Sequence, residues 1–456
     1  MLQESIEKTL GNLRSRIRSS VLTQRLFTGI AWTVGAKVVT FVLGLIVSGL
    51  LARLLTPDEL GIYFLVWSFV TTFVVVSGLG MNQAVIRLVA EGMGTDRPGR
   101  ARSAIRHAFL SSFLASLFLA VVFFVSVHWV SPADWDMASR NQIALLASIA
   151  IIVSTASTLL PEVFRGFHEI RIAVLLSGLA GSAIPAVLLG TLWLARAGSL
   201  PQVLLVPVIA GGVSILVGSW LLRRTTRGLG RDGELQLREV LIISAPLMVT
   251  SLIWTLKDRT AIWILGLFST QADIAVYGAA ERLMLMVVTP LLLVNFVIPP
   301  IVAEMYAQGE RSQLEKTVRR VVTLASIPAF LALLVLLLFG SPILGLVYGD
   351  FYRQGDKILV ILSVAQLVNV WAGSCGIVLM MTGYQVAMMQ VTVFAGLVGI
   401  VLGVVLTSQF GASGMAIAAS TALVVQNVGM WLSAKSKAGI WTHVSLGELL
   451  RLAKLL

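Results

Sequence analysis

The residues best placed to do chemistry in this sequence are charged side chains inside long apolar runs. Lys257, Asp258 and Arg259 follow one another within "WTLKDRTAIWILGLF", and Glu281 and Arg282 occur together in the next apolar run. Charges inside a membrane span face a bundle interior or a water-filled cavity, because exposure to lipid costs at least about 2.5 to 3.5 kcal/mol per residue. Bases in such a place can hold an anion, and carboxylates there can couple transport to a proton or sodium ion.

Bases outnumber acids among these membrane charges. The substrate-binding candidates are the four bases Lys37, Lys257, Arg259 and Arg282, and the candidates for ion coupling or a charge network are the two acids Asp258 and Glu281. This balance predicts a cationic cavity and an anionic substrate. A structural ion-pair network, in which the acids neutralise their basic neighbours while one base reaches the headgroups, is the alternative.

Other kinds of site find little support in the sequence. None of the four histidines (His107, His128, His168 and His443) pairs with a second histidine or a cysteine at metal-ligand spacing. No nucleophile motif or phosphate-binding loop is present. The single cysteine, Cys375, excludes an internal disulfide. We therefore expect no metal, no cofactor and no enzymatic activity.

The composition is that of a membrane protein with many spans. The chain is 57% hydrophobic and 12% charged, against roughly 25% charged in a soluble chain, and its mean hydropathy is +0.91. A span needs about 20 mostly apolar residues. Twelve such runs are predicted, at 27–50, 61–82, 105–127, 142–161, 172–194, 202–222, 240–268, 275–300, 319–340, 357–381, 387–407 and 413–434.

The basic residues predict the orientation of these spans. If the helices alternate from a cytoplasmic N-terminus, 25 of the 34 lysines and arginines fall in cytoplasmic segments and 5 on the opposite face. This bias predicts that both termini are cytoplasmic. The net charge of +12 is therefore explained by topology, and nucleic acid is not expected as a partner. Membrane lipids are expected as partners, because residues 1–26 have apolar residues at helical spacing opposite a basic face.

An internal repeat divides the chain into two halves. "LLTPDELGIY" at 54–63 aligns with "LFSTQADIAVY" at 267–277, so that Thr56, Glu59 and Tyr63 match residues 214 positions later. Arg106 falls on Arg319 at an offset of 213. The offset contains an even number of spans, so the copies have the same orientation. We predict two parallel six-helix lobes around a central cavity.

The domain boundaries follow from the spans and the repeat. They are a cytoplasmic amphipathic segment 1–26, an N-lobe 27–222 with helices 1–6, a basic cytoplasmic linker 223–239, a C-lobe 240–434 with helices 7–12, and a cytoplasmic tail 435–456. The repeat also predicts that the seventh helix continues through Lys257, Asp258 and Arg259. Glu281 and Arg282 are expected only about one turn below the outer end of the eighth span, 275–300.

Three stretches carry a resemblance to a known family. "LARLLTPDELGIY", "GLGMNQAVIR" and "DRTAIWILGLFSTQADIAVYGAAERL" resemble the bacterial polysaccharide transporters, which are lipid-linked oligosaccharide flippases of O-antigen and exopolysaccharide synthesis. These belong to the multidrug/oligosaccharidyl-lipid/polysaccharide superfamily. The resemblance covers 27–434, and Asp258 and Tyr277 occupy the family's usual positions around helices 7 and 8.

The resemblance implies a function. Such a protein moves a polyprenyl-pyrophosphate-linked oligosaccharide from the inner to the outer leaflet of the bacterial cytoplasmic membrane by alternating access. The expected partners are this anionic lipid-linked sugar, membrane lipids and the polysaccharide polymerase machinery. An ion-coupled multidrug antiporter of the same superfamily is the alternative, and a non-transporting scaffold of a sugar-polymer assembly complex is a third class.

Overall fold

The computed structural model describes residues 35–36, 38–130, 137–227, 235–445 and 447, and in these ranges the regular structure is helical. The N-lobe helices are α1 (Val38–Leu54), α2 (Pro57–Ser77), α3 (Met81–Gly94), α4 (Pro98–Val130), α5 (Met137–Gly166), α6 (Ile170–Gly178), α7 (Ile184–Leu194) and α8 (Leu200–Thr226). The C-lobe helices are α9 (Leu237–Phe268), α10 (Gln271–Val297), α11 (Pro299–Ala307), α12 (Arg311–Tyr348), α13 (Asp356–Ala372), α14 (Cys375–Met381) and α15 (Gln385–Ser433).

These helices account for the predicted spans. In the described part of the chain, 10 helical segments are long and apolar enough to cross a membrane, and the shorter α1 accompanies them. The last segment contains two predicted spans, because α15 breaks at Gly411, whose φ is 56°. The chain is therefore an all-α, multi-span membrane protein. The predicted segment 1–26, the linker residues 228–234 and the tail residues 446 and 448–456 lie outside the described residues.

The repeat is visible in how two equivalent helices begin. Thr56 caps α2 and forms a capping box with Glu59, and Thr270 caps α10 and forms the same box with Asp273. In each box the threonine hydroxyl accepts from a backbone amide, while the carboxylate accepts from the threonine amide. Two equivalent helices thus start with the same reciprocal hydrogen bonds, 214 residues apart.

The second capping box corrects one prediction. Because the box starts α10 at Gln271, the helix begins four residues before the predicted start at 275. Glu281 lies ten residues into this helix, which is about 15 Å or nearly three turns. Glu281 and Arg282 therefore lie nearly three turns into the helix, and the expected depth of one turn is wrong.

We expect loss of either cap to lower the thermal stability of the protein. Thr270→Ala and Thr56→Ala should each lower the free energy of unfolding by about 1 kcal/mol, because the backbone amide of the third helical residue loses its hydrogen-bond acceptor. The check is the midpoint of thermal unfolding in detergent. Thr225→Ala is the matched control, because the hydroxyl of Thr225 donates only to Leu221 O within α8. Equal midpoints for all three variants would contradict this role of the caps.

The two lobes meet mainly along α2, which packs on α9 and α10. The α9 contact is antiparallel: Trp263 Nε1 donates to Ser68 Oγ at 2.9 Å, and the ring of Trp263 stacks on Phe69 at 5.5 Å. The close approach of α2 to α10 needs Gly61, where a Cβ would collide with the carbonyl of Gln271. Buried residues of both lobes form one continuous core here.

A second contact joins α1 to the end of α12. Arg53 donates to the carbonyl groups of Leu346 and Val347, and Ser48 Oγ donates to Tyr348 OH at 3.2 Å. The arginine thereby supplies donors and a positive charge at a helix C-terminus, where carbonyl groups lack partners. This contact and the α2 interface hold the two lobes together at the ends where α2 and α10 begin.

Candidate functional site

The seventh span confirms that one helix runs through all three consecutive charges. α9 extends unbroken from Leu237 to Phe268. Consecutive residues of an α-helix point about 100° apart, so Lys257, Asp258 and Arg259 cannot share one face. Their directions decide what each can bind.

Lys257 and Asp258 line a cavity of about 530 Å³ that lies entirely among C-lobe helices. Its walls come from α9, α10, α13 and both parts of α15, and most of its surface is apolar. Lys257 Nζ also lies 5.2 Å from the centre of the Trp254 ring. The cavity is therefore a space within the C-lobe and not between the lobes.

Arg259 does not line this cavity and lies on the opposite side of α9. It is four residues before Trp263 and seven before Gly266, so it shares their face. Trp263 bonds to Ser68, and a Cβ on Gly266 would meet the side chain of Leu65 at 2.8 Å. The face of α9 that carries Arg259 therefore meets α2 of the N-lobe.

The same division occurs on α10. Tyr277, Glu281 and Met284 follow one another at helical spacing and line the C-lobe cavity. Arg282, one residue after Glu281, points about 100° away, and its guanidinium carbon lies 5.3 Å from the centre of the Phe64 ring on α2. Arg282 therefore lies at the boundary between the lobes, with its charge over an aromatic face.

The described charges thus do not share one cavity. Lys257, Asp258 and Glu281 line the C-lobe cavity, which holds two acids and one base among the described residues. Arg259 and Arg282 lie on the faces that meet the N-lobe. The expectation that the four bases share one site is therefore wrong for Arg259 and Arg282, which do not line the cavity that Lys257 lines. The reason is that consecutive residues of a helix point in different directions. Lys37, the fourth base, lies outside the described residues.

All of these charges lie at a similar depth. Asp258 is ten residues before the last residue of α9, and Glu281 is ten residues after the first residue of α10. Both are about 15 Å from the helix ends at the α9–α10 turn. Asp258 and Glu281 are therefore at the same distance from this turn, and the charges form one layer across the two helices.

The two arginines keep hydrogen-bond donors free. Within the described part of the chain, no carboxylate lies within 4.0 Å of a basic nitrogen of Arg259, Arg282 or Lys257. Glu281 is close enough to Arg282 and Arg259 for electrostatic attraction. The Nε atom of Arg259 is buried, and no described group accepts from it. A close ion-pair network is therefore not formed among these described side chains.

The structure adds two amides to the site. Gln366 on α13 and Gln426 on α15 line the cavity and are about nine-tenths buried, and Gln366 Oε1 accepts from Asn369 Nδ2 at 2.8 Å. The sequence signals them only as amides in apolar spans. It did not indicate that α13 and α15 close a cavity around Asp258 and Glu281. No cluster of metal ligands occurs in the ranges the structure describes.

The chain matches two family models and one named relative. Residues 26–306 match the model of the family described as "Polysaccharide biosynthesis protein", and residues 246–405 match the model named MatE. The probable low-salt glycan biosynthesis flippase Agl15 of Haloferax volcanii is 25% identical over 389 residues, which is 83% of this chain and 76% of that protein.

Solved structures share the fold. An inward-facing multidrug resistance MATE family transporter aligns with a TM-score of 0.74 at 14% identity, over 88% of this chain and 94% of its own. The lipid II flippase MurJ in an inward closed conformation aligns with a TM-score of 0.70 at 13% identity, over 92% of this chain and 89% of its own. At this identity the likeness concerns the fold of two lobes.

Proposed function

Because this chain belongs to the polysaccharide biosynthesis protein family, we propose that it is a flippase for a polyprenyl-pyrophosphate-linked oligosaccharide. It moves this lipid from the inner to the outer leaflet of the bacterial cytoplasmic membrane by alternating access, for cell-surface polysaccharide synthesis such as that of O-antigen or exopolysaccharide. Both termini face the cytoplasm, and the polymerase machinery takes up the product. The relative named as a glycan biosynthesis flippase supports this proposal.

The observation that carries the proposal is the pair of arginines at the lobe boundary. Arg259 and Arg282 lie inside two membrane spans, on helices that face α2, and no described carboxylate lies within 4.0 Å of either. A diphosphate offers several anionic oxygens, and the planar guanidinium group binds such oxygens with two parallel hydrogen bonds. Movement of the lobes about this boundary would carry the bound headgroup from one side to the other. Lys37 remains a third candidate for this site.

The test uses cells that lack the protein. Lipid-linked oligosaccharide is measured separately in each leaflet, and the null strain is compared with the strain restored by wild type. We expect the lipid to accumulate in the inner leaflet of the null strain and to return to the outer leaflet on restoration. An unchanged distribution in the null strain would overturn the proposal.

The C-lobe cavity supplies a site for coupling this movement to an ion. Asp258 and Glu281 both line it, and Glu281 is also within electrostatic range of Arg259 and Arg282. A proton or cation bound at Glu281 would weaken its attraction for the arginines and leave them free for the diphosphate. The acids are therefore proposed as the coupling residues, with Lys257 as their neighbouring base.

We expect Glu281→Gln to slow flipping at least roughly 10-fold and to flatten its pH dependence, because an amide of the same size cannot take up a proton. Flipping of a fluorescent lipid-linked sugar in proteoliposomes between pH 6 and 8 checks this. Glu310→Gln, an exposed residue before α12, is the control. A wild-type rate and pH profile in Glu281→Gln would exclude Glu281 from coupling.

A second candidate function is an ion-coupled multidrug antiporter. It is favoured by the balance of two acids and one base in an apolar cavity of about 530 Å³, because acids in an apolar site can hold organic cations, and by the MatE match at residues 246–405. The same null strain separates the two functions. Loss of cation efflux with a normal lipid-linked sugar distribution would favour the antiporter.

A further inference from the structure

The segment that follows the last helix crosses one end of the C-lobe. After α15 and a π-helical turn, Ala434–Ala438, the chain reverses at Gly439, whose φ is 76°. Residues 439–445, here called the C-terminal strap, then pass over the end where α12 begins and α13 ends. Ile440 and Thr442 in the strap are fully buried. The strap is therefore packed into the lobe and is not a surface tail.

The strap supplies hydrogen bonds where a span is broken. α13 ends at Ala372, Gly373 has a φ of 73°, and α14 begins at Cys375, so the last carbonyls of α13 lack partners within the helix. Thr442 Oγ1 donates to Ala372 O at 2.6 Å, and Val444 N donates to Trp371 O at 3.0 Å. The strap thus holds the end of the broken helix.

The strap also binds α12. Trp441 N donates to Glu315 Oε2 at 3.1 Å, and Ser445 N donates to Thr323 Oγ1 at 3.0 Å. Arg319 Nε lies 3.3 Å from the carbonyl oxygen of His443, to which it donates. Three points of attachment along α12 therefore fix the strap over this end of the lobe.

His443 lies at the centre of these contacts. Trp431 Nε1, on α15, donates to His443 Nδ1 at 3.1 Å, and Arg319 Nη2 lies 3.3 Å from His443 Nε2. The rings of Trp371 and Trp441 pack against the imidazole at 5.6 and 5.3 Å. The indole N–H of Trp431 needs Nδ1 as its acceptor, which leaves the proton of the neutral imidazole on Nε2. An imidazolium, which carries a proton on each nitrogen, would lose the Trp431 bond and place a second positive charge beside Arg319.

The charges around His443 favour its neutral form. Burial lowers the pKa of His443 below its ordinary value of 6.5, Arg319 lowers it further, and Glu315 opposes this. Lys435, over the Trp441 ring at 5.0 Å, adds positive charge nearby. Because the pKa is lower in the docked strap than in a free one, docking is fully favoured above pH 6.5 and weakens as the pH falls below it.

We propose that the C-terminal strap is a pH-sensitive latch: neutral His443 holds the ends of α13 and α15 together against α12, and a protonated His443 releases them. The latch acts on the cavity, because Gln366 and Gln426 lie five residues before Trp371 and Trp431 on the same two helices, or about 7.5 Å. Release of the strap loosens the walls of the C-lobe cavity at this end. The inference does not depend on which substrate the protein carries.

The only cysteine of the chain reports the state of the latch. Cys375 is 1% exposed, and it begins α14 two residues after Gly373, beside which the carbonyl of Thr442 lies. The experiment measures the rate of maleimide modification of the full-length protein in lipid nanodiscs at pH 7.5 and 5.5. Each rate is divided by that of glutathione at the same pH, which removes the intrinsic pH dependence of a thiol.

We expect the normalised rate to rise about 10-fold at pH 5.5 in wild type and in His107→Gln, which serves as the histidine control. His443→Gln, which cannot carry a charge, should show no rise, and His443→Lys should react fast at both pH values. The latch is refuted if wild type shows no rise, or if His443→Gln keeps the wild-type rise.

Discussion

Replacing Arg259 and Arg282 together with alanine is expected to abolish flipping of lipid-linked oligosaccharide in cells that otherwise lack the protein. Both side chains lie inside membrane spans, on the faces of α9 and α10 that meet α2. Each hydrogen bond to a charged group contributes roughly 1.5 to 3 kcal/mol, or on the order of 10- to 100-fold per residue. We therefore expect the flipping rate of the double variant to be at least about 100-fold lower than that of wild type. The leaflet distribution of the lipid is the measurement.

The matched control removes the same number of charges elsewhere. Arg223→Ala/Arg227→Ala alters the polar end of α8, where both residues lie outside the lobe boundary. This variant should restore the leaflet distribution as wild type does. If the Arg259→Ala/Arg282→Ala variant inserts normally, folds with the wild-type melting temperature and still flips the lipid, the two arginines do not bind the headgroup.

Gly80→Ala is expected to cause a large loss of stability at the lobe boundary. Gly80 has a φ of 73°, a conformation that costs an L-residue roughly 1 to 2 kcal/mol. A Cβ at this position would also collide with the backbone of α9, at the carbonyl of Ser244 and, at 2.6 Å, the amide nitrogen of Met248. Backbone atoms, unlike the end of a flexible side chain, cannot rotate out of the way, so α3 and α9 must separate. We expect the free energy of unfolding to fall by roughly 4 kcal/mol in total.

Gly309→Ala separates the two causes of this loss. Gly309 has a φ of 76°, but nothing lies within 4 Å of a Cβ built there. It should therefore show only the conformational cost. The melting temperature in detergent is the measurement, and a fall in Gly80→Ala several times that in Gly309→Ala is expected. Equal falls would mean that the close approach of the lobes at Gly80 does not limit stability.

Much of the fold was predictable from residue types and spacing. The apolar runs predicted the spans because a bilayer demands about 20 apolar residues with internally satisfied backbones. The shared threonine and acid of the two capping boxes predicted the repeat, and α2 and α10 begin there. Errors fell at the helix ends, as for α10, because capping residues are polar and extend a helix beyond its apolar run.

The site was only partly predictable. The sequence identified Lys257, Asp258, Arg259, Glu281 and Arg282 as costly charges in a membrane, because that conclusion needs only hydropathy and length. The sequence could not show which side chain faces the cavity and which faces the N-lobe, because this depends on which helix packs against each face of the span. Gln366 and Gln426 join the cavity from spans more than 80 residues away in sequence, and no local pattern connects them to Glu281.

The sequence by itself therefore determined a two-lobed helical membrane protein with charges inside its seventh and eighth spans. Only the tertiary structure decided that Asp258 and Glu281 line a C-lobe cavity while Arg259 and Arg282 face the N-lobe. The physical reason is that neighbouring residues on a helix diverge by about 100°. The packing of α2 against α9 and α10 then separates acids from arginines that are adjacent in the sequence.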